Sequence, residues 1–192
     1  ENNIYAVGFA DSLDNYSYKA IIAKFDGNTW SLVNIPKIQE SFWQIFYDKT
    51  SGKFLINSLN FDTPEGKIYS FNGTNLNVVH TFQNTLSLST VNGEIFFREK
   101  QKLYKYRNNK FDLFKDFTGT EYIGNTIGTN EKNIFTVNGD GIGHYNGEDL
   151  ITIFKEKNQE WSPLGAIVFE NELFFFFFFS DYTYIVHGIL EK

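Results

Sequence analysis

The chain has 192 residues, a net charge of −6, and an aromatic content of 19%, including 22 Phe and 11 Tyr. Only two of its seventeen basic residues are Arg, and nucleic-acid binders usually carry a basic face, so we expect no nucleic-acid partner. No run approaches the roughly 18–20 apolar residues of a membrane helix. The lack of Cys excludes disulfides, thiolate nucleophiles and zinc–cysteine sites.

A turn with the same surroundings recurs four times in chain order. The turns are Phe25-Asp26-Gly27, Phe71-Asn72-Gly73, Tyr106-Arg107-Asn108 and Tyr145-Asn146-Gly147. Each turn follows a short apolar run, and an apolar residue stands five places after its aromatic: Trp30, Leu76, Phe111 and Leu150. Residue types that tolerate positive φ are typical of tight hairpin connections, so each motif predicts a turn between antiparallel strands.

Strands are predicted around each turn in a constant order. One strand opens at the following residues: Ile4, Phe54, Ile95, Ile134 and Leu173. The next strand carries an apolar residue three places before the turn aromatic: Ile22, Ile68, Leu103 and Ile142. A third strand follows each turn, and a further one precedes the next unit. The pattern predicts a single domain over 1–192 with units 1–37, 38–83, 84–118, 119–157 and 158–192.

Four short strands per unit predict an all-β protein, a β-propeller of four-stranded antiparallel blades with about five blades. The first unit lacks its opening strand and the last lacks its closing one. We expect the ring to be closed by pairing of the two termini, and the alternative is a fragment of a larger propeller. In the fifth unit, residues 173–179 include six consecutive Phe, which predicts a strand covered on both faces.

The repeat resembles the blades of secreted bacterial β-propellers of the kelch-like and Asp-box-like kind. The likeness is carried by residues 4–8 (IYAVG), 22–27 and Trp30, and it returns more weakly at 141–147. Residues 26–30 match the Asp-box hairpin of sialidase-like propellers in part, with Asp and Gly adjacent and no Ser. The resemblance implies a propeller and an extracytoplasmic location, secreted or surface-anchored. The chain begins at Glu1, which suggests a trimmed or mature product.

Two long connections between strands, residues 9–19 and 60–67, are predicted to lie side by side on one rim. The first carries Asp11 and Tyr18, and the second carries Asp62. Long loops are more often functional than short ones. Aromatic and carboxylate side chains together are suited to sugar recognition, although ordinary solvated loops are the alternative.

A second candidate site lies where one unit passes to the next. Acidic and aromatic residues stand together at three such places: Glu40 with Trp43, Glu121 with Tyr122, and Glu160 with Trp161. Equivalent positions in a ring converge on the channel mouth, so these residues predict an acidic–aromatic collar for a glycan or a cationic group. The alternative is that these aromatics pack between blades.

No catalytic residue is predicted. The three His lack a nucleophile motif beside them, and two Arg are too few for the arginine clamp of sialidase-type enzymes. Asn138, Asp140 and their neighbours depart from calcium-loop spacing, so they predict a turn and no metal. We also expect no cofactor.

The sequence therefore predicts a non-catalytic binding propeller that recognises a glycan or a protein partner through rim loops. Two alternatives stay open: a glycoside hydrolase or lyase with loop carboxylates, and a structural domain of a larger surface protein.

Overall fold

The computed structural model describes residues 3–12, 17–60, 62–63, 65–83, 86–120, 122–138, 141–155, 162–169, 171–179 and 181–190. All regular structure in these residues is β-strand. By its internal contacts the chain forms two compact units, Glu1–Leu88 with Tyr106–Phe111, and Ser89–Lys105 with Asp112–Lys192. The described part of the chain holds no helix long and apolar enough to cross a membrane.

The first two sheets are antiparallel meanders. One has three strands in the order β1-β2-β3, with bounds Ile4–Ser12, Ser17–Phe25 and Trp30–Leu32. The other has four strands in the order β4-β5-β6-β7, with bounds Ser41–Asp48, Lys53–Leu59, Glu65–Phe71 and Leu76–Gln83. Two of the recurring turns close hairpins here: the turn at Gly27 joins β2 to β3, and the turn at Gly73 joins β6 to β7.

The next eight strands form one sheet built from two four-stranded meanders. The first comprises β8 Leu86–Val91, β9 Glu94–Glu99, β10 Lys102–Arg107 and β11 Lys110–Asp116. The second comprises β12 Tyr122–Asn130, β13 Asn133–Asn138, β14 Gly141–Tyr145 and β15 Leu150–Lys155. A parallel pairing of Val91 on β8 with Gly128 on β12 joins them.

The last sheet has three strands in the order β16-β17-β18, with bounds Ser162–Phe169, Glu172–Phe179 and Tyr182–Ile189. The protein is therefore all-β, as the sequence predicts. Its sheets differ in size, since they contain three, four, eight and three strands, whereas the sequence predicts uniform four-stranded blades.

Three of the four recurring turns are fixed by an Asp or Asn side chain that accepts hydrogen bonds from backbone amides of the same turn, whereas the remaining turn has Arg107 at that position. The Asp26 carboxylate accepts hydrogen bonds from the amides of Asn28 at 2.8 Å and Thr29 at 2.9 Å. These backbone hydrogen bonds hold the pKa of Asp26 below its usual value. The amide oxygens of Asn72 and Asn146 do the same in their turns. An Asp or Asn is thus used as a turn residue at this position.

The repeated residues fall on two opposite faces of each sheet. We number three equivalent positions in each repeat. The first position lies on β1, β5, β9, β13 or β17 and is occupied by Ile4, Phe54, Ile95, Ile134 and Leu173, respectively. The second position is the next residue along the same strand. The third position lies on the next strand: Ile22, Ile68, Leu103, Ile142 and Ile185. Because side chains alternate along a strand, the second and third positions share one face, and the first position lies on the other. We call these the front face and the back face.

Within each compact unit, the front face of one meander packs on the back face of another. In the first compact unit, the ring of Tyr5 lies 4.9 Å from that of Phe54, and the buried Ile22 belongs to the same apolar cluster. In the second compact unit, Phe96 and Leu103 cluster with Ile134. A further cluster there joins Phe135 and Ile142 to Leu173. The core of each unit is thus built from front-on-back packing of meanders through the same repeat positions.

Two sequence expectations differ from the structure. Residues 9–12 and 17–19, expected in a long loop, extend β1 and β2 in a continuous antiparallel register that ends at Ser12 opposite Ser17. The six-Phe strand β17 is covered on one face only: Phe175 and Phe177 are 3% exposed, whereas Phe178 is 45% exposed.

The close approach of β14 and β15 makes Gly141 a test of the sheet geometry. A Cβ on Gly141 would lie 1.8 Å from the backbone oxygen of Phe154, so Gly141→Ala forces the strands apart. We expect the free energy of unfolding to fall by about 1–3 kcal/mol in denaturant titration. The control is Gly165→Ala, since no heavy atom lies within 4 Å of that Cβ. Its expected effect is within about 0.5 kcal/mol, and equal losses in the two variants would refute this packing.

Candidate functional site

A buried carboxylate at the start of β4 is the centre of a polar cluster. Glu40 is 6% exposed. Its carboxylate accepts hydrogen bonds from Ser58 Oγ at 2.5 Å and from Tyr69 OH at 3.0 Å, and it forms an ion pair with Lys67 Nζ. We call these four residues the Glu40 cluster.

Strand register explains why these side chains meet. Ser58 on β5 stands opposite Lys67 on β6, and Tyr69 lies two residues further along β6, on the same face. Phe42 on β4 stands opposite Ser58, so the segment that enters β4 brings Glu40 over that face. Every oxygen of the carboxylate is thereby matched by a donor.

The cluster sets the protonation state of its members. Burial by itself raises the pKa of Glu40, but the hydrogen bonds from Lys67, Ser58 and Tyr69 outweigh it and hold the pKa below its usual value. Burial, followed by the negative charge of Glu40, raises the pKa of Tyr69. At neutral pH the cluster therefore contains an ionised carboxylate and a protonated phenol.

Three aromatic side chains form an exposed patch on the first two sheets. The ring of Phe9 lies 5.4 Å from that of Tyr18 and 5.9 Å from that of Trp43. Phe9 is 40% exposed and Trp43 is 49% exposed. We call Phe9, Tyr18 and Trp43 the aromatic cluster.

A β-bulge places Trp43 in this patch. Phe42 pairs with Ser58 and Gln44 pairs with Asn57, which leaves Trp43 as the extra residue on β4. A bulge redirects the side chain of the extra residue and is frequent beside binding sites. The buried Phe42 and the exposed Trp43 are the result.

The aromatic cluster and the Glu40 cluster lie at the same end of these two sheets. Ala20 stands opposite Phe9, and its amide donates a hydrogen bond at 3.1 Å to the carbonyl of Ile38, two residues before Glu40. Lys67 and Glu65 leave 29% and 42% of their side chains accessible there. Exposed rings thus lie near charged groups of both signs.

The other predicted site residues are placed as follows. Asp62 is exposed in the connection between β5 and β6, where its amide donates to the side chain of Asn60 at 2.9 Å. Asp11 lies on β1 opposite Tyr18, and Tyr122 begins β12, but their side chains lie outside the described part of the structure. Glu121, Glu160 and Trp161 also lie outside the described residues. The collar therefore stays a prediction.

Of the predicted site residues, Trp43 and Tyr18 are brought together, through Phe9. Glu40 differs from the expected channel-mouth acid, because its carboxylate is buried and fully engaged by Ser58 and Lys67. The sequence signal for this role is a Ser and a Lys at apolar-facing positions of neighbouring strands. Ser58 and Lys67 are 18 and 27 residues from Glu40 in the chain, so this signal cannot be recognised unless the strand register is known.

A second ion cluster, centred on a buried lysine with two exposed carboxylate partners, is not predicted from the sequence. Lys105 on β10 is 3% exposed, and its Nζ forms ion pairs with Glu131 at 2.5 Å and with Glu94. The same Nζ lies 5.6 Å from the ring centroid of Phe96. A lysine two residues after the buried Leu103 is the signal, since it occupies a core-facing position. All donors of this ammonium group face acceptors, which assigns it a structural role.

A polar cavity of about 340 Å³ lies at the other end of β6. Lys53, Ser70, Asn75 and Asn77 are among its lining residues. None of the predicted site residues lines it. Among the described residues, no group of three or more His, Asp or Glu is placed to hold a metal ion.

Solved structures with the same arrangement of sheets are β-propeller proteins. The β-propeller domain of the Trilobed protease from Pyrococcus furiosus, which has an open velcro topology, matches 96% of this chain at a TM-score of 0.57 and 11% identity. A gluconolactonase from Xanthomonas campestris matches 84% at a TM-score of 0.56 and 9% identity. An acylaminoacyl peptidase in complex with Z-Gly-Gly-Phe-chloromethyl ketone matches 97% at 0.53 and 10%.

These similarities concern the fold alone. No protein-family model matches the sequence, and no curated protein matches it significantly. The chain spans 64%, 66% and 35% of the three matched proteins, in the order given, which is less than two thirds of each. The chain is thus an all-β protein whose fold is similar to that of β-propellers.

The Glu40 cluster makes stability depend on acid pH. The pKa of Glu40 is lower in the folded chain than its usual value of 4.5, so its stabilising contribution is present above that value and is lost as pH falls through the folded pKa. We expect Glu40→Ala to lower the free energy of unfolding by about 2–4 kcal/mol at pH 7. The difference from wild type should shrink below about pH 4.

The matched control is Glu65→Ala, because Glu65 Oε1 lies 3.9 Å from the same Lys67 ammonium but is 42% exposed. Its loss should stay within about 1 kcal/mol. Urea titrations at a series of pH values measure both. A loss for Glu40→Ala that is independent of pH would contradict the ionised state assigned to this carboxylate.

Proposed function

We propose that this chain is a non-catalytic binding propeller whose aromatic cluster takes a glycan. In this proposal the antiparallel meanders are about five propeller blades, and the alternative of a fragment of a larger propeller is retained. The kelch-like or Asp-box-like, secreted or surface-anchored character implied by the repeat motifs belongs to the same proposal.

The aromatic cluster is the observation that carries the proposal. Phe9, Tyr18 and Trp43 come from three different strands and contact one another while two of them stay at least 40% exposed. Exposed aromatic rings stack on the apolar faces of sugar rings, and polar groups beside them can bind the hydroxyls. Lys67 and Glu65 offer such groups at this end of the sheets.

Rigidity favours binding at this place. Phe9 and Tyr18 lie on paired strands, and Trp43 is held at a bulge whose neighbour Phe42 is 1% exposed. Side chains fixed before the ligand arrives lose little conformational freedom on binding. The Glu40 cluster supports this end of the sheets, since it ties the segment entering β4 to β5 and β6.

The hydrolase alternative has weaker support. The matched peptidases and the gluconolactonase are enzymes, but at 9–11% identity and partial coverage they carry no activity over to this chain. A glycosidase acid needs a raised pKa, and the pKa of Glu40 is lowered. Its carboxylate is also occupied by Lys67, Ser58 and Tyr69, so it is poorly placed to protonate a substrate.

A role in assembly, the third alternative, is favoured by one observation. The last sheet exposes apolar side chains, among them Phe169 at 57% and Ile185 at 59%. Contiguous apolar surface of this kind is typical of interaction sites. Assembly and glycan binding are compatible, because they use different faces of different sheets.

Trp43→Ala tests the glycan proposal. The probes are soluble hexasaccharides of glucose, xylose, mannose and N-acetylglucosamine, titrated calorimetrically against the full chain. We expect at least one to bind wild type without product formation, and Trp43→Ala to weaken that binding by about ten-fold through the lost ring contact.

Trp30→Ala is the matched control, because Trp30 is 54% exposed but stacks on Phe25, away from the aromatic cluster. It should bind the probe like wild type. Absence of binding by all four probes, or equal weakening in the two variants, would refute the proposal. Release of shorter sugars by wild type would support the hydrolase instead.

A further inference from the structure

One repeat position is buried in four of the five repeats and exposed in the last. At the third position Ile22, Ile68 and Leu103 are 0% exposed, and Ile142 is 1% exposed. Ile185 occupies the same position, since it pairs with Phe176 as Ile142 pairs with Val137, yet it is 59% exposed. The front face of β16–β18 therefore exposes an apolar residue at a position that is buried in the other repeats.

The first sheet shows the complementary difference on its back face. At the first position Ile95, Ile134 and Leu173 are 1–3% exposed, whereas Ile4 is 55% exposed. Ile4 stands opposite Phe25 as Ile134 stands opposite Tyr145, so the register is the same. The back face of β1–β3 is likewise exposed at a position that is packed against another sheet or meander in other repeats.

Both faces are mainly apolar, although Glu172, His187 and Thr183 lie on the front face of the last sheet and Lys19 lies at the edge of the back face of the first. The front face of the last sheet also carries Ile167, Phe169 and Phe178, which are 40–57% exposed. Phe174 and His187 stack in parallel on the same face, 4.6 Å apart. The back face of the first sheet also carries the following side chains: Ile21, Ala23, Phe25, Trp30 and Leu32. Leu32 is 71% exposed.

We infer that these two faces bind each other between copies: the front face of β16–β18 in one copy docks on the back face of β1–β3 in a second. This goes beyond the proposed glycan function and does not depend on it. The occupant follows from continuity with the junctions inside the chain. There, Tyr5 and Ile22 meet Phe54, and Phe135 and Ile142 meet Leu173, always front on back.

This interface joins two different faces, so it is heterologous. Each copy then presents one unused face of each kind, and association continues beyond the dimer unless a ring closes. A three-stranded sheet of eight-residue strands measures about 27 Å by 14 Å. Such a face is smaller than a standard interface, so we expect micromolar rather than nanomolar association.

The experiment is sedimentation velocity on the full 22.3 kDa chain between about 1 and 500 µM. Wild type should grow from monomer to dimer and larger species as its concentration rises. Ile185→Glu and Ile4→Glu should each stay monomeric, because a charge is placed in one of the two faces. Leu113→Glu is the control; Leu113 is 55% exposed on β11, outside both faces, and this variant should associate like wild type.

Mixing the two monomeric variants tests the pairing of faces directly. Ile185→Glu keeps an intact back face on β1–β3, and Ile4→Glu keeps an intact front face on β16–β18. An equimolar mixture should therefore form dimers through these two faces. Association should end at the dimer, because the remaining face of each copy carries the charge. Thermal unfolding of each variant alone checks that it is folded, and both substitutions are at exposed positions.

Three results would overturn the inference. A monomeric wild type at the highest concentration would mean that no second copy docks, whether the faces stay open or close within one chain. Association of either single variant would indicate an interface between like faces or elsewhere. A mixture that stays monomeric would show that the two faces do not bind each other. Glycan binding by Trp43 is unaffected by any of these outcomes.

Discussion

The dominant constraint on this protein is the packing of the front face of one meander on the back face of another within each compact unit. A sheet with two apolar faces is stable only between neighbours, which makes the sheet–sheet junction the structural unit. The junctions use the same repeat positions each time. Ile22 against Phe54 and Ile142 against Leu173 are two examples, in the two compact units. Turns, bulges and ion clusters are arranged around these junctions.

The repeat positions could be predicted from the sequence because their signal is local and periodic. Apolar residues at fixed distances from an aromatic-x-Gly turn identify Ile22, Ile68 and Ile142 without knowledge of the fold. The sequence does not reveal that β1 and β2 extend through Asp11 and Tyr18, because a polar stretch with Asp and Asn is typical of a loop. In the structure, strand pairing continues through the first and last residues of this stretch.

The candidate site was only partly predictable, since it depends on contacts between distant residues. Glu40 is buried because Lys67, 27 residues away, neutralises it. Trp43 is exposed because a bulge adds a residue to β4. No sequence motif identifies Phe9 as a site residue, and its place in the aromatic cluster follows from its contacts with Tyr18 and Trp43. The same bulged segment thus supplies both a stabilising carboxylate and an exposed ring, which links the stability of this end of the sheets to its recognition chemistry.

A double-mutant cycle between Tyr5 and Phe54 tests front-on-back packing most directly. Their rings lie 4.9 Å apart in an edge arrangement, and they occupy the second position of one sheet and the first position of the next. Tyr5→Leu, Phe54→Leu and the double variant are compared by urea titration. The account predicts a coupling free energy of about 0.5–1.5 kcal/mol. Additive losses within about 0.3 kcal/mol would contradict the packing of these faces on each other.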